Sequence, residues 1–252
     1  MRGLWAALRF LTTIPVPERW LDETATTPRG MLWWWGVTGG LIGALAAAMI
    51  WVAYIRLPWI TCAALGVVAL VVLSGGLHLD GFADMCDGVG SRAPRERALA
   101  IMKDSRIGAF GVIGIVCLLL LKFGLLVGLA PSWGIAAIGS APVAGRLAQV
   151  WVLHLYPYAR AEGGMAGDFF AAATRGHIIV SAVVAIAIAF AWLQLPGIVA
   201  LIWAMLLGGM GAAWVAHWLR GHTGDTVGAI SETTEVAMIL GLAVMHGISI
   251  GV

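Results

Sequence analysis

The chain has 252 residues, of which 61% are hydrophobic and only 11% are charged. Soluble domains carry about 25% charged residues, so this composition, with a mean hydropathy of +0.94, predicts an all-α polytopic membrane protein. The net charge of +2 gives no reason to expect nucleic-acid binding, and three cysteines without a C-x-x-C pair indicate neither a disulfide framework nor a thiolate metal site.

The apolar runs define the predicted helices. Residues 3–14 form a partly amphipathic segment that is too short to cross a bilayer, so we expect an interfacial or buried helix there, followed by a polar, loop-like stretch over 18–30. Seven long apolar runs predict about seven transmembrane helices, at 31–55, 59–77, 107–130, 132–155, 177–195, 197–219 and from 232 to the C-terminus. A polar loop at 156–176 and a glycine-rich turn at 220–231 interrupt them, and residues 1–252 are expected to form one membrane domain.

The basic residues predict an orientation. With the N-terminus in the cytoplasm, twelve of the 15 Lys and Arg fall on cytoplasmic segments, and only Arg56 falls on the opposite side. All 13 Asp and Glu also fall on, or just inside, the cytoplasmic connections and the N-terminal segment. We therefore expect the N-terminus and any active site to face the cytoplasm.

The strongest chemical signal is the stretch LHLDGFADMCDGVG at residues 77–90. Asp80, Asp84 and Asp87 are spaced by four and three, which places them on one face of a helix. Each charge costs about 2.5–3.5 kcal/mol at the centre of a membrane helix, so a cation is expected among them. Hard oxygen donors without Cys or His at ligand spacing suit Mg²⁺ or Mn²⁺. The plainer interpretation is a solvated acidic helix end.

A second acidic stretch, GHTGDTVGAISETTE, covers residues 221–235. Asp225 lies in the predicted turn beside Gly224, while Glu232 and Glu235 are three apart on one helix face. Helix capping explains one of these carboxylates. Three of them favour a second metal or substrate cluster, in which glycines let backbone N–H groups approach a phosphate.

A basic segment, residues 95–111, separates the two acidic stretches. Lys103, Asp104 and Arg106 directly precede Gly108 and the start of a helix, and a helix N-terminus with basic neighbours suits phosphate binding. These basic residues could also act as topology determinants alone.

Two cations lie within apolar runs. Arg146 is far from the end of its helix, so we expect it to face the interior and pair with an acid or a phosphate. Lys122 is less informative and could snorkel outward. Tyr158 and Arg160 fit either an interfacial belt or the mouth of a substrate site, and His78 stands out among the histidines because it adjoins Asp80.

Six sequence blocks, in the same order, resemble the cobalamin synthase family, also called adenosylcobinamide-GDP ribazoletransferase. They are RFLTTIPVP (9–17), GGLHLDGFADMCDG (75–88), RERALAIMKDSRIGAFG (95–111), GRLAQV (145–150), YPYARAEG (156–163) and GDTVGAISETTE (224–235). The resemblance implies an Mg²⁺-dependent enzyme of the cytoplasmic membrane. Its substrates would be adenosylcobinamide-GDP and α-ribazole or α-ribazole 5′-phosphate, and it would release GMP. Contact with membrane lipid is implied, and a homo-oligomer is neither required nor excluded.

The resemblance also implies roles for residues. Asp80, Asp84 and Asp87 would hold Mg²⁺ on the diphosphate, with Lys103, Arg106 and Arg146 stabilising the departing GMP. A second metal or the general base would come from Asp104, Asp225, Glu232 and Glu235. Substrate-binding positions would be His78, Arg92, Gly108, Arg146, Tyr158, Arg160 and Gly224.

Two other functions remain as alternatives. The CDP-alcohol phosphotransferase signature, D-x₂-D-G-x₂-A-R-x₈-G-x₃-D-x₃-D, is matched in its first half from Asp84 to Arg92, with Ser91 for Ala. Its second half fails, because Ile101, Ser105 and Ala109 replace the required Gly, Asp and Asp. An ion-coupled transporter is the more distant alternative, since such proteins place charges near the membrane midplane.

Overall fold

The structure, a computed structural model, describes residues 2–21 and 27–250, with side chains up to residue 247. Residues 22–26 of the predicted loop at 18–30 lie outside this range. The described residues form eleven α-helices and one short 3-10 helix, Glu18–Trp20, without any β-strand. The helices are α1 (Arg2–Leu11), α2 (Pro28–Leu32), α3 (Trp35–Tyr54), α4 (Trp59–Ser74), α5 (Leu77–Gly90), α6 (Arg95–Ile101), α7 (Ala109–Val127), α8 (Pro131–Leu155), α9 (Met165–Ala172), α10 (Arg175–Leu219) and α11 (Gly224–Ile250). The predicted all-α membrane bundle is confirmed.

Five of the described helices, α3, α7, α8, α10 and α11, are long and apolar enough to cross a membrane, and the pair α4–α5, bent by 94°, makes a sixth candidate. α10 has 45 residues, about 68 Å if straight, against an apolar bilayer core of about 30 Å. Its dihedral angles leave the helical region at Leu193 and Gln194. A Cβ on Gly197 would collide with the Ala189 carbonyl oxygen, so the chain folds back there. α10 therefore contains both predicted runs, 177–195 and 197–219, as two arms.

The centre of the bundle is α8, in which 89% of the apolar membrane stretch is buried, followed by α11 with 78%. In the most apolar stretches of α7 and α10 only 22% and 17% is buried, so these stretches face outward. Small residues let α3 lie directly against α8, since a Cβ on Gly39 would stand 2.9 Å from the Pro142 carbonyl oxygen. The small residues at the centre thus bring the helix backbones together.

The start of α11 corrects one predicted boundary. The helix begins at Gly224, so most of the predicted glycine-rich turn at 220–231 is helical. Thr223 caps it, because its Oγ1 accepts the Thr226 N–H at 3.3 Å and its own N–H donates to Thr226 Oγ1 at 2.9 Å. Asp225 consequently lies in the first helical turn, where a carboxylate is favoured by the helix dipole.

The connections that were predicted to face the cytoplasm meet at one end of the bundle. Arg95, at the start of α6, donates to the Leu219 carbonyl oxygen at 2.6 Å and to the Ala159 carbonyl oxygen at 2.7 Å. These bonds join the segments after α5, α8 and α10. The N-terminal segment reaches the same end, where the Thr13 N–H donates to the Leu73 carbonyl oxygen at 3.0 Å.

α5 and α11 cross with their backbones in close contact. A Cβ on Gly81 would stand 2.6 Å from the Asp225 carbonyl oxygen and 2.8 Å from its Cα, and a Cβ on Gly228 would be 3.2 Å from the His78 Cα. Only glycine at 81 permits this approach. The contact places the acidic face of α5 beside the first turn of α11.

We expect Gly81→Ala to lower the free energy of unfolding by about 1–3 kcal/mol, because the added methyl group overpacks the helix crossing. Gly124→Ala is the matched control, since nothing lies within 4 Å of the Cβ it would add. Thermal unfolding of the two variants in detergent measures the difference. Equal midpoints for both would contradict the crossing.

Candidate active site

An acidic cavity lies where α5 meets α11. Asp80 and Asp84 are one turn apart on α5 and line it together with Asp225 of α11. The cavity has a volume of about 310 Å³. Its remaining polar walls come from Lys103, Asp104, Ser105 and Arg160. Two of the three acidic residues of α5 and one of the second stretch therefore share a cavity with cations.

Arg160 is placed in this cavity by its bond to Asp225. Its Nη2 donates to Asp225 Oδ2 at 2.9 Å, and Thr223 Oγ1 donates to the same oxygen at 3.2 Å. The Arg160 Nε is buried without a hydrogen-bond partner. An orphaned guanidinium donor at a cavity wall suits an anionic ligand such as a phosphate.

Asp87, in contrast, points away from the cavity and caps α7. Its Oδ2 accepts the Gly108 N–H at 2.7 Å, and its Oδ1 accepts the Gly111 N–H at 2.8 Å. The amides predicted to bind phosphate at this helix N-terminus are thus directed at Asp87. A carboxylate at this position accepts bonds from N–H groups that have no partner within the helix, and its charge is favoured by the helix dipole. The contact therefore anchors α5 to α7.

The segment after α6 carries two exposed ion pairs. Arg106 donates in bidentate fashion to Asp104, with Nη2–Oδ2 2.7 Å and Nε–Oδ1 3.0 Å. These side-chain bonds, with one from the Arg106 backbone N–H, lower the pKa of Asp104 to about 2. So acidic a carboxyl group is a weak general base at neutral pH. Lys103 Nζ contacts Glu162 Oε2 at 2.9 Å, and both side chains are largely exposed.

Glu232 and Glu235 belong to a separate, buried ionic cluster. Lys122 Nζ donates to Glu232 Oε2 at 2.6 Å and to Glu235 Oε2 at 2.9 Å. Arg146 Nη1 donates to Ser231 Oγ at 3.0 Å and lies 3.7 Å from Glu235 Oε1. The cluster joins α7, α8 and α11 with two positive and two negative charges.

The buried cluster settles two expectations about cations in apolar runs. Arg146 faces the interior and pairs with an acid, as predicted. The suggestion that Lys122 snorkels outward is wrong, because its residue is only 4% exposed. An outward Lys122 would leave two buried glutamates with only Arg146 to compensate them, which is costlier than burying the ammonium group between them.

A second cavity, of about 250 Å³, adjoins the acidic one, and Asp80 and Asp225 line both. His78 and Gly224 line the second cavity.

The other predicted substrate-binding positions lie elsewhere. Tyr158 packs on Phe170, with ring centroids 5.3 Å apart. Arg92 is exposed after α5 with a φ of 50°. The sequence-predicted positions are thus divided among two cavities, the buried cluster and the surface.

His222, which the sequence analysis did not single out, positions the loop that carries Arg160. Its backbone N–H donates to the Pro157 carbonyl oxygen at 2.9 Å and its carbonyl oxygen accepts the Ala159 N–H at 2.8 Å. Its ring nitrogens contact the Ala212 carbonyl oxygen and Thr226 Oγ1, each at 3.1 Å. The carbonyl partner requires the proton on Nε2. Burial lowers the pKa of this imidazole to about 4.

Among the described residues, no group of three or more His, Cys, Asp or Glu side chains is placed so that it could hold a metal ion by itself. Mg²⁺ rarely uses such a cage and usually takes one or two carboxylates together with substrate phosphates and water. The open pair Asp80 and Asp84, at a cavity that also holds cations, therefore suits a magnesium ion that arrives with a phosphorylated substrate.

A family model described as cobalamin-5-phosphate synthase matches residues 3–243. Three similar proteins carry the name adenosylcobinamide-GDP ribazoletransferase. The one from Klebsiella pneumoniae (strain ATCC 700721) is 38% identical over 251 residues, covering 96% of this chain and 99% of its own. The one from Brevibacillus brevis is 37% identical over 242 residues (95% and 97%), and the one from Chlorobium phaeovibrioides is 34% identical over 250 residues (97% and 98%). No solved structure matches the chain.

We expect Lys122→Met to lower the free energy of unfolding by about 3–5 kcal/mol, because it leaves two buried glutamates with Arg146 as their only cation in the cluster. Lys103→Met is the control, since its exposed pair with Glu162 contributes less than about 1 kcal/mol. Thermal unfolding in detergent at neutral pH compares them. A Lys122→Met variant as stable as Lys103→Met would contradict the buried cluster.

We expect His222 to contribute stability that is lost as the pH falls from about 6.5 to about 4. The unfolded chain binds a proton at His222 in this range while the folded chain does not, so stability rises with pH. His222→Gln keeps one donor and one acceptor but does not titrate. Over this range the unfolding midpoint of His222→Gln should therefore rise relative to that of the wild type, and a difference that does not change with pH would argue against a buried neutral His222.

Proposed function

The chain belongs to the cobalamin-5-phosphate synthase family, and we propose that it is an adenosylcobinamide-GDP ribazoletransferase, the activity for which its relatives are named. In this reaction a ribose hydroxyl group of α-ribazole, or of its 5′-phosphate, attacks the phosphorus next to the cobinamide. A new phosphate ester forms, the bond between the two phosphates breaks, and GMP leaves. The hydroxyl proton passes to a base.

The observation that carries the proposal is the acidic cavity, in which Asp80, Asp84 and Asp225 face Lys103 and Arg160. Transfer at a diphosphate requires groups that neutralise phosphate charge and groups that stabilise the leaving phosphate. The cavity brings both kinds of group together from helices and loops distant in the sequence.

We assign Mg²⁺ to Asp80 and Asp84, with Mn²⁺ as a substitute, because both are hard cations that prefer carboxylate oxygen. A bound ion would neutralise charge on the diphosphate. Asp87 serves to hold α5 against α7, since both of its oxygens already accept N–H groups.

Arg160 binds phosphate through the donor that lacks a protein partner, and Lys103 adds a positive charge at the cavity wall. Asp225 is our candidate for the base. Asp104, with a pKa of about 2, is too weak a base, and Glu232 and Glu235 lie in the buried cluster and line neither cavity. Asp225 lies between the two cavities, where an acceptor and the diphosphate would meet.

We place the protein in the cytoplasmic membrane, with the N-terminus and the acidic cavity facing the cytoplasm. Support comes from the twelve cytoplasmic cations in the predicted topology, and from the bonds of Arg95 that gather those connections at one end. The names of the relatives reported above do not favour a phospholipid-forming phosphotransferase or a transporter.

The test is an assay of purified protein with adenosylcobinamide-GDP and α-ribazole, with Mg²⁺ or with EDTA, that follows corrinoid product and GMP. We expect product only with Mg²⁺, and turnover on the order of 100-fold lower for Asp84→Asn, because the variant weakens charge stabilisation at the diphosphate. Glu96→Gln, at a carboxylate whose side chain is 80% exposed, should behave as wild type.

Equal turnover and equal Mg²⁺ dependence in Asp84→Asn and wild type would overturn the metal assignment. Absence of cobalamin product from the wild type, with turnover of a CDP-linked lipid precursor instead, would favour the phosphotransferase alternative.

A further inference from the structure

The second cavity, which adjoins the acidic one, has the features of a ligand-binding site. It lies between α1, α3, α5, α8, α9 and α11, has a volume of about 250 Å³, and shares Asp80 and Asp225 with the acidic cavity. A molecule in this second cavity can therefore extend one end to the aspartates while the rest stays between the helices.

Aromatic rings form much of its wall. The ring centroids of Phe10 and Phe169 are 5.2 Å apart, those of Trp35 and Phe169 are 5.3 Å apart, and those of Phe10 and Trp35 are 6.4 Å apart. Leu153 and Val227 complete the apolar surface. Such walls favour a flat, largely apolar ligand.

Three residues of the same walls carry a buried polar atom that lacks a hydrogen-bond partner in the protein: Trp35 Nε1, Gln149 Oε1 and His78 Nδ1. These residues are only 4%, 1% and 4% exposed. Buried polar atoms are nearly always hydrogen-bonded in proteins, so these three are candidate partners for a ligand in the cavity. That ligand must accept a bond from the indole N–H and donate one to the amide oxygen.

We propose that the second cavity binds the aromatic base of the acceptor nucleoside, with its ribose directed at Asp80 and Asp225. This inference rests on the proposed function. The benzimidazole of α-ribazole is a flat bicyclic ring with one ring nitrogen free to accept from Trp35 Nε1. The ribose hydroxyls can donate to Gln149 Oε1 and reach the shared aspartates.

The other substrate fits this cavity poorly. A corrinoid macrocycle is far larger than 250 Å³ allows. Guanine carries donors and acceptors around most of its edge. The aromatic part of the wall offers it only three polar atoms, because Asp80 and Asp225 lie at the boundary with the acidic cavity, so several groups of a guanine placed there would stay unpaired, which is costly. The benzimidazole ring has a single free nitrogen acceptor, so its burial against apolar walls leaves few polar atoms unpaired. The cavity therefore distinguishes the acceptor from the nucleotide of the donor.

The experiment measures KM for each substrate in wild type, Trp35→Phe, Gln149→Met and the control Trp203→Phe. Trp35→Phe keeps the aromatic wall and removes only the N–H donor, and Gln149→Met keeps the volume. Trp203 is 43% exposed and lines neither cavity. We expect KM for α-ribazole to rise about threefold to tenfold in the two cavity variants, the effect of one lost hydrogen bond. KM for adenosylcobinamide-GDP should stay as in wild type.

A rise in KM for adenosylcobinamide-GDP instead, or no rise for either substrate, would overturn the assignment. Equilibrium binding of α-ribazole alone separates this inference from the proposed function. If the wild type binds α-ribazole, the cavity variants bind it more weakly and no cobalamin forms, the pocket stands and the proposed reaction fails. If cobalamin forms and the cavity variants bind α-ribazole as the wild type does, the reaction stands and the pocket fails.

Discussion

The acidic cavity depends on the crossing of α5 and α11 at Gly81. The Asp225 backbone occupies the space that a side chain at position 81 would need, so the two acidic stretches can share a cavity only with glycine there. The remaining contacts follow from this crossing. Arg160 is bound to Asp225, and His222 holds the loop that carries Arg160 against the start of α11. A helix crossing made of backbone atoms thus determines where the charged side chains meet.

The buried ionic cluster fixes the rotation of α11. Asp225 and Glu232 are seven residues apart, two helical turns, and so share one face. Lys122 of α7 and Arg146 of α8 contact the later part of the helix, which carries Glu232 and Glu235. Charges in the interior of a membrane bundle are stable only in compensated groups, so α11 cannot turn without breaking the pairs. The second acidic stretch therefore divides its carboxylates, with Asp225 at the cavity and the two glutamates in the scaffold.

The two adjoining cavities suit a reaction between two substrates of very different chemistry. The acidic cavity opens among exposed connections that carry cations, where a charged diphosphate can enter. The aromatic cavity lies against α8 and suits an apolar base. Asp80 and Asp225 stand at their boundary. Binding both reactants side by side lowers the entropic part of the barrier, since the attacking hydroxyl group is held next to the phosphorus.

Hydropathy alone determined the all-α membrane class, and the spacing of Asp80 and Asp84 determined that they share a helix face, because both are local properties of the chain. The six sequence blocks were enough to identify the family. Contacts between distant segments were not predictable, because periodicity shows which face of a helix is polar but not what packs against it. Asp87 caps a helix 21 residues away, and Lys122 pairs with Glu232 across 110 residues. Only the tertiary structure separated the scaffold carboxylates from those of the cavity. It also assembled the aromatic pocket, whose walls come from six helices and whose residues carry no common signal in the sequence.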